Sequence, residues 1–300
     1  MSTQARAETR APLARAGLQR RPATHYLGRA GLYVLAVFLG ITFLVPYLWG
    51  LGTSLKTPLE TTAIPPTWVP QAPQWQNYVF VTQVTPFLTF ARNTVFLTAV
   101  NIVGEVVVGA AVAYGFSRFR FRGREVLFVI LLSRMMLPRE VTIIPQYLLF
   151  NQLGWLDTYW PLIVPHWLAG SSFGVFLLRQ FFLTIPREYD DAARVDGASS
   201  VQIFWRVLLP LAKPALASLA IFAFIGNWNM LWEPLIYLTT SEKMTLAVGL
   251  TWFQGYQIGN MPKTHLMMAY SIMITLPVVA VFFAAQRHFI QGIVLSGLKG

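Results

Sequence analysis

The chain has 300 residues, of which 55% are aliphatic or aromatic and only 12% are charged, with a formal net charge of +11. Water-soluble domains carry about twice that share of charged residues, so the composition indicates a chain solvated largely by lipid and leaves no room for a soluble catalytic domain. The absence of cysteine excludes disulfides, thiolate metal sites and cysteine nucleophiles.

Six apolar stretches are long enough to cross a membrane, since a helix needs about 20 residues to span about 30 Å of hydrocarbon. They predict an all-α polytopic membrane protein with six transmembrane helices. Residues 1–28 then form a basic cytoplasmic tail, and residues 29–300 form the transmembrane domain. The predicted spans are residues 31–51, 90–116, 126–150, 159–178, 214–237 and 265–283.

Most Lys and Arg residues lie on alternate connections between these spans. They precede the first span, occupy residues 118–124 and 179–213, and follow the sixth span. The positive-inside bias therefore predicts that both termini are cytoplasmic. Charge distributed in this way is typical of a membrane protein in contact with lipid and does not predict a nucleic-acid partner.

The third stretch is the least suited to lipid, because it contains Arg134, Pro138 and Glu140. Proline kinks a helix, and intramembrane charges usually face the interior of a bundle. We therefore expect this helix to line a cavity, with Arg134 and Glu140 on a path for solute. A kinked helix whose charges lie at the outer interface is the alternative.

The fifth stretch carries polar and aromatic residues in its middle and outer half. Amides and carboxylates hydrogen-bond sugar hydroxyls, and aromatic rings cover the apolar faces of sugars, so these residue types fit a saccharide path. Hydrogen bonding between helices explains the same residues equally well. The set is Asn227, Trp228, Asn229, Trp232 and Glu233.

Other ionisable residues give no sign of catalysis. Glu105 in the second stretch is expected to be structural, either paired with Asn101 one turn earlier or kept protonated by desolvation. No phosphate-binding Gly-x4-Gly-Lys loop is present. The four histidines are scattered, which predicts interfacial or packing roles and no metal site. They are His25, His166, His265 and His288.

Residues 186–210, called the elbow below, predict two short helices joined by a turn. Asp196–Gly197 is a turn signal, and Ser199 with Gln202 forms a capping box that opens the second helix. Each helix has one apolar stripe, which suits docking into a groove of another protein. An amphipathic pair lying on the bilayer is the alternative. The stripes are Tyr189, Ala192 and Ala193, and Val201, Phe204, Trp205 and Leu208.

The order of residues in the elbow resembles the signature loop of the membrane subunits of ABC importers. Residues 191–193 read Asp-Ala-Ala, Gly197 follows after three residues, and 207–210 (Val-Leu-Leu-Pro) follow after nine more. The family pattern has glutamate at position 191 and isoleucine at position 207, and both replacements keep charge or shape. The resemblance implies an ATPase-coupling role for Tyr189, Asp191, Ala192, Ala193, Gly197, Ala198, Phe204, Leu209 and Pro210.

Further segments are similar to the maltose-type carbohydrate permease branch, in particular to the six-span partner of its permease pair. They include residues 54–57, 77–78, 176–182 and 228–229. The resemblance implies a type I ABC importer permease in a bacterial inner membrane. Its expected partners are a second permease, two ATPase subunits that hold ATP and Mg²⁺, and an extracytoplasmic solute-binding protein. An outer loop is expected to contact that binding protein through Gly255, Tyr256, Gln257 and Asn260.

Three alternatives to a sugar permease remain at this point. The first is an ion-coupled secondary transporter that works without an ATPase, and the second is an ABC permease for glycerol phosphate or a polyol. The third, a membrane-embedded enzyme or assembly scaffold, is disfavoured because the sequence has no nucleophile–base or metal-ligand spacing. The chain is therefore expected to bind no cofactor and to be no enzyme by itself.

Overall fold

A computed structural model describes residues 23–168, 170–253 and 263–297, and the regular structure in these ranges is entirely helical. Contacts group the chain into two compact units, residues 1–49 and 50–300. The α-helices are α1 (Ala23–Ser54), α2 (Pro58–Thr61), α3 (Gln76–Val84), α4 (Phe87–Arg118), α5 (Arg124–Ser133), α6 (Arg139–Gln152), α7 (Trp160–Leu168), α8 (Ser172–Thr184), α9 (Glu188–Val195), α10 (Ser200–Ile203), α11 (Leu209–Leu211), α12 (Lys213–Trp228), α13 (Trp232–Tyr237), α14 (Leu246–Gly249) and α15 (Thr264–Gly297).

Four helical segments of the described chain are long and apolar enough to cross a membrane. A fifth candidate is a bent pair, residues 200–211 followed by residues 213–228, with 79° between its two parts. The bend lies at Ala212, immediately before the Lys213–Pro214 start of α12. The four segments are Arg29–Ser54, Phe87–Arg118, Trp160–Thr184, which comprises α7 and α8, and Thr264–Gln286.

The predicted third and fifth spans are not the continuous helices that hydropathy indicates. The third consists of α5, a 3-10 turn at Arg134–Met136 and α6, with the break next to Pro138. Proline lacks the amide hydrogen that a continuous helix needs there, so the kink predicted at this proline is present as a full interruption. The fifth stops at Trp228 and resumes as α13 after the three residues 229–231. Six spans therefore stay a prediction.

Helix α4 is the central element of the second unit, and it packs against α7, α8 and α12. Gly104 allows a close approach of α7, because a Cβ there would lie 2.7 Å from the Trp167 ring. With 32 residues, α4 is about 48 Å long, more than the thickness of the hydrocarbon. It therefore connects polar sites that lie far apart along the bundle.

The amino-terminal end of α4 is fastened to the segment that follows α13. Asn93 Nδ2 donates to the carbonyl oxygens of Glu242 and Met244, at 2.7 and 2.9 Å. Nearby, Asp157 accepts hydrogen bonds from Thr240 and forms an ion pair with Lys243, its Oδ2 lying 2.8 Å from Nζ. These bonds to the Asp157 carboxylate hold its pKa well below the ordinary value.

Candidate functional site

A cavity of about 400 Å³ lies where three helices are interrupted. Residues from each interruption line it, among them Leu137 before α6, Gly170 before α8 and Met230 before α13. Gly170 has φ +57°, a left-handed conformation that glycine adopts without strain. Irregular backbone is tolerated at membrane depth only where it is buried in protein or lines a water-filled cavity. The interruptions are therefore consistent with a polar path.

Charged side chains line this cavity on two sides. Arg139 Nη1 lies 3.2 Å from Glu233 Oε2, which joins the start of α6 to the start of α13. Arg134 also lines the cavity, and among the described residues it has no ion-pair partner. The cavity is therefore suited to a polar, hydrogen-bonding solute more than to an apolar one.

A buried polar network reaches the wall of this cavity through Glu105 and His166 and joins three helices. Glu105 Oε1 lies 2.8 Å from His166 Nδ1 and accepts a hydrogen bond from Asn227 Nδ2 at 3.0 Å. Asn101 Nδ2 donates to Asn227 Oδ1 at 2.7 Å and to the carbonyl of Leu162. Glu105 therefore pairs with His166 and Asn227, which corrects the expected pairing with Asn101.

The predicted solute-path residues divide into two groups. Arg134 and Glu233 line the larger cavity, and Asn227 lines an adjoining one of about 250 Å³. The structure places the remaining four elsewhere. They are Glu140, Trp228, Asn229 and Trp232.

Trp228 is the clearest correction. It is buried and its Nε1 donates to the Ile274 carbonyl of α15, so it packs between helices and faces neither cavity. Asn229 bonds back to the Ile225 carbonyl at the end of α12. The helical periodicity of the fifth stretch ends at the interruption at residues 229–231. The side chains after this interruption therefore point in directions that the periodicity does not predict.

Sequence reasoning missed several polar residues of the cavity wall, among them Arg139, Gln146 and His166. Arg139 had a signal, since it stands beside Pro138 in the stretch least suited to lipid. His166 had none, because its partner Glu105 is 61 residues away in the chain. Only the packing of α7 on α4 brings the two side chains together.

The elbow has the local structure that its sequence predicts. The turn after α9 has Gly197 at φ +82°, with the amides of Gly197 and Ala198 bonded to the carbonyls of Arg194 and Ala193. This pattern is a Schellman motif. Both hydrogen bonds of the capping box between Ser199 and Gln202 are present. A π-helical turn, Phe204–Leu208, follows α10.

Buried polar contacts fasten the elbow to the carboxyl-terminal end of α4. Arg118 Nε lies 3.0 Å from Asp190 Oδ2, and these side chains are only 3% and 5% exposed. Arg118 Nη2 also donates to the Ile185 carbonyl, and Tyr114 Oη donates to the Ser200 carbonyl. Both halves of the elbow are thus bonded to one helix.

The second apolar stripe of the elbow divides between two environments, which corrects the prediction of one face free for docking. Phe204 and Leu208 are buried in the chain's own core, together with Ile203. Val201 and Trp205 are exposed, 66% and 56% respectively. Phe204 therefore supports the elbow from inside and is not available to a groove of another protein.

The outward face of the elbow presents apolar side chains among exposed charged ones. Tyr189 is 51% exposed and Val195 is 87% exposed, so with Val201 and Trp205 they present four apolar side chains outward. Ala193, Ala198 and Leu209 are partly buried against the core. Asp191, Ala192, Gly197 and Pro210 are exposed. The expected binding-protein contacts Gly255, Tyr256, Gln257 and Asn260 lie outside the described residues.

An all-helical membrane bundle with a polar cavity at its helix interruptions has the architecture of a membrane permease. No group of residues suited to hold a metal ion is found among those described. Residues 74–294 match the model of the family described as binding-protein-dependent transport system inner membrane component. The chain belongs to this family, whose members are transporter permeases and not catalytic subunits, and the resemblance to ABC-importer membrane subunits is confirmed.

Relatives and a solved structure agree with this assignment. The arabinooligosaccharides transport system permease protein AraQ of Halalkalibacterium halodurans is 33% identical, over 75% of this chain and 79% of that protein. The diacetylchitobiose uptake system permease protein DasC of Streptomyces coelicolor is 30% identical, over 91% and 98%. A bacterial ABC transporter involved in the import of the acidic polysaccharide alginate contains a chain that is 26% identical, with a TM-score of 0.75 over 89% of this chain and 98% of that one.

Proposed function

We propose that this chain is the membrane-spanning subunit of an ATP-driven importer for an oligosaccharide or a related solute. It crosses the inner membrane six times, with α5 and α6 as one interrupted span and with both termini in the cytoplasm. It works with a second permease, with two ATPase subunits that hold ATP and Mg²⁺, and with an extracytoplasmic binding protein that delivers the solute.

The elbow is the observation that carries this proposal. Its inner face is fixed by the buried Arg118–Asp190 pair, while its outer face presents Val201 and Trp205 without cover. Exposed aromatic and aliphatic residues on a rigid support are typical of surfaces that dock in a groove of another protein. A motor that pulls on this face moves α4 with it, because the elbow is bonded to the end of that helix.

The saccharide class is supported by the cavity and by the relatives. Ion pairs, amides and aromatic rings line the cavity, a combination that binds hydroxyl-rich solutes better than apolar ones. The names of two relatives refer to arabinooligosaccharides and diacetylchitobiose, and the similar solved transporter is involved in the import of alginate. A solute panel for this chain is therefore arabinotriose, diacetylchitobiose and an alginate trisaccharide.

The test is a pair of substitutions on matched valines in the assembled complex. Val201→Asp places a charge on the outward face of the elbow, and Val69→Asp places the same charge on a 76% exposed valine outside it. We expect Val201→Asp to abolish co-purification of the ATPase and ATP-dependent uptake of the panel sugars into proteoliposomes. Val69→Asp should leave co-purification of the ATPase intact.

Three outcomes would contradict the proposal in different ways. Unchanged co-purification and uptake in Val201→Asp would mean that the elbow is not the docking surface. Uptake by the chain without any ATPase would identify a secondary transporter. Uptake of glycerol phosphate or a polyol, but of none of the panel sugars, would reject the saccharide class and keep the ATP-driven mechanism.

A further inference from the structure

The hydrogen bonds around Glu105 orient the ring of His166. Glu105 Oε1 accepts from Asn227 Nδ2, and the Asn227 amide is itself oriented, because its Oδ1 accepts from Asn101. The same Oε1 lies 2.8 Å from His166 Nδ1, so the contact with Glu105 occupies this ring nitrogen. The ring is therefore held with Nε2 as its remaining polar atom.

Nε2 is available to a ligand. It has no hydrogen-bond partner among the described residues, and the His166 side chain is 29% exposed. His166 lines both the 400 Å³ and the 250 Å³ cavity, so it lies on the wall that the two hollows share. Phe173 lines both cavities as well, which places an aromatic ring on the same wall.

A histidine serving only to connect helices would have no reason to face a cavity. In this molecule the connection between α4 and α12 is already made by Asn101, Glu105 and Asn227 among themselves. His166 adds a contact from α7, and α7 reaches α4 because Gly104 leaves room for the neighbouring Trp167. The packing thus places the imidazole of His166, which faces the cavity, against the buried carboxylate of Glu105. This contact fixes the direction of the ring.

We propose that His166 is a solute-contacting residue, which binds a hydroxyl group of the transported saccharide through Nε2, and that Glu105 is the positioning residue that holds its ring. The assignment rests on the proposed function and adds that this subunit itself contributes to the solute site. A sugar hydroxyl both donates and accepts, so the contact forms with either charge state of the imidazole.

The test compares uptake by complexes carrying His166→Phe, His166→Gln and the control Thr82→Val, whose hydroxyl bonds only to the Val79 carbonyl of its own helix. Uptake is measured in proteoliposomes with the panel sugar that the wild type transports best. His166→Phe should raise the KM for uptake about 10-fold, the effect of losing one hydrogen bond to the solute. His166→Gln keeps a polar group and should recover most of this loss, while Thr82→Val should match the wild type.

Equal KM values in the wild type and His166→Phe would overturn the assignment and leave the proposed function intact. Failure of the wild type to transport any panel sugar would overturn the saccharide class of the proposed function, and this assignment with it. A further measurement does not depend on uptake. Because the chain has no cysteine, His166→Cys introduces a single thiol in a complex with cysteine-free partners. The sugar should slow its alkylation but not that of Thr82→Cys, and equal alkylation rates with and without sugar at His166→Cys would also overturn the assignment.

The role of Glu105 requires a readout that a structural effect would not reproduce. If Glu105 acts by holding His166, then Glu105→Leu should raise the KM in the wild-type background and have no further effect in the His166→Phe background. Equal increases in both backgrounds would show that Glu105 does not act through the histidine.

Discussion

Two polar sites on α4 use similar groups in opposite ways. At the carboxyl-terminal end, the Arg118–Asp190 pair is closed, with side chains only 3% and 5% exposed. In the middle, the network of Glu105 opens through His166, 29% exposed, onto a cavity. The first site holds one element against another, whereas the second presents a polar atom to solvent. The burial of a polar group therefore indicates, better than its residue type, whether the group holds two elements together or binds a ligand.

The two sites lie on the same helix, which provides a physical connection between them. A continuous α-helix resists bending, so displacement of the elbow at Arg118 reaches Glu105 by movement of α4 as a whole. Coupling between two sites is demonstrated when a perturbation of one site changes a property measured at the other. The substitutions below are chosen to damage one site at a time.

The largest effect is expected at the closed site. Asp190→Ala removes one member of the buried pair and leaves Arg118 charged and unpaired, which costs about 3–5 kcal/mol of stability. We expect a large fall in the unfolding temperature of the purified complex and loss of ATPase co-purification. Thermal unfolding followed by size-exclusion chromatography measures the first effect.

A matched double variant separates charge from packing. Arg118→Met with Asp190→Leu replaces the pair by apolar groups of similar volume and should recover most of the lost stability, since apolar replacements of buried pairs are often neutral. Only the Ile185 carbonyl then loses a donor. A double variant as unstable as Asp190→Ala would mean that the pair is not the source of the effect.

The next effect concerns how α7 reaches the open site. Gly104→Ala places a Cβ 2.7 Å from the Trp167 ring, so α7 must move and the bond between His166 and Glu105 is disturbed. Overpacking of this kind costs about 1–3 kcal/mol. The measurement is the unfolding temperature together with the KM for sugar uptake.

Gly115→Ala is the control for this substitution, because it lies on the same helix and a Cβ there meets nothing within 4 Å. It should be neutral or slightly stabilising, since alanine favours helix over glycine. Equal behaviour of the two alanine variants would show that the approach of α7 does not depend on Gly104.

The sequence predicted local features well and long-range contacts poorly, for physical reasons. The turn at Gly197 and the capping box of Ser199 depend on residues within a few positions, and the structure contains both. The network of Glu105 joins residues 61 and 122 positions apart, which no local pattern records. Periodicity identified the apolar stripe of Phe204 but does not say whether its own chain or another protein covers it.

The apolar stretches and their interruptions depend on local features too. Hydropathy located the apolar stretches, because the transfer of side chains into lipid is a sum over residues. The interruption at Pro138 had a covalent cause that was visible in the sequence. The interruption at residues 229–231 has a similar cause, since Pro234 lacks the amide hydrogen that a continuous helix would bond to the Met230 carbonyl.

A smaller effect is expected in the turn of the elbow. Gly197→Ala forces alanine into φ +82°, which costs about 1–2 kcal/mol, while the new Cβ meets nothing within 4 Å. Gly123→Ala introduces the same strain at the same φ, in the turn before α5. Both should lower the unfolding temperature equally, but only Gly197→Ala should weaken co-purification of the ATPase. Equal loss of the ATPase in both variants would argue against a special role of the elbow.

The smallest effect is expected at an exposed ion pair. Its size tests directly whether burial determines how much an ion pair stabilises the fold. Asp157 and Lys243 side chains are 29% and 39% exposed, so Asp157→Asn should cost about 1 kcal/mol at pH 7, far less than Asp190→Ala. The pKa of Asp157 is lowered in the folded chain, first by Lys243 and then by Thr240. Its contribution is therefore fully present above the unfolded value of about 3.9 and declines as the pH falls toward the folded pKa.

The difference in unfolding temperature between the wild type and Asp157→Asn should accordingly be constant from pH 7 to 5 and smaller at pH 3. A difference that grows on acidification would mean that the carboxylate is not stabilised by its partners. If Asp157→Asn lost as much stability at pH 7 as Asp190→Ala, burial would not be the reason that the Arg118–Asp190 pair stabilises the fold strongly.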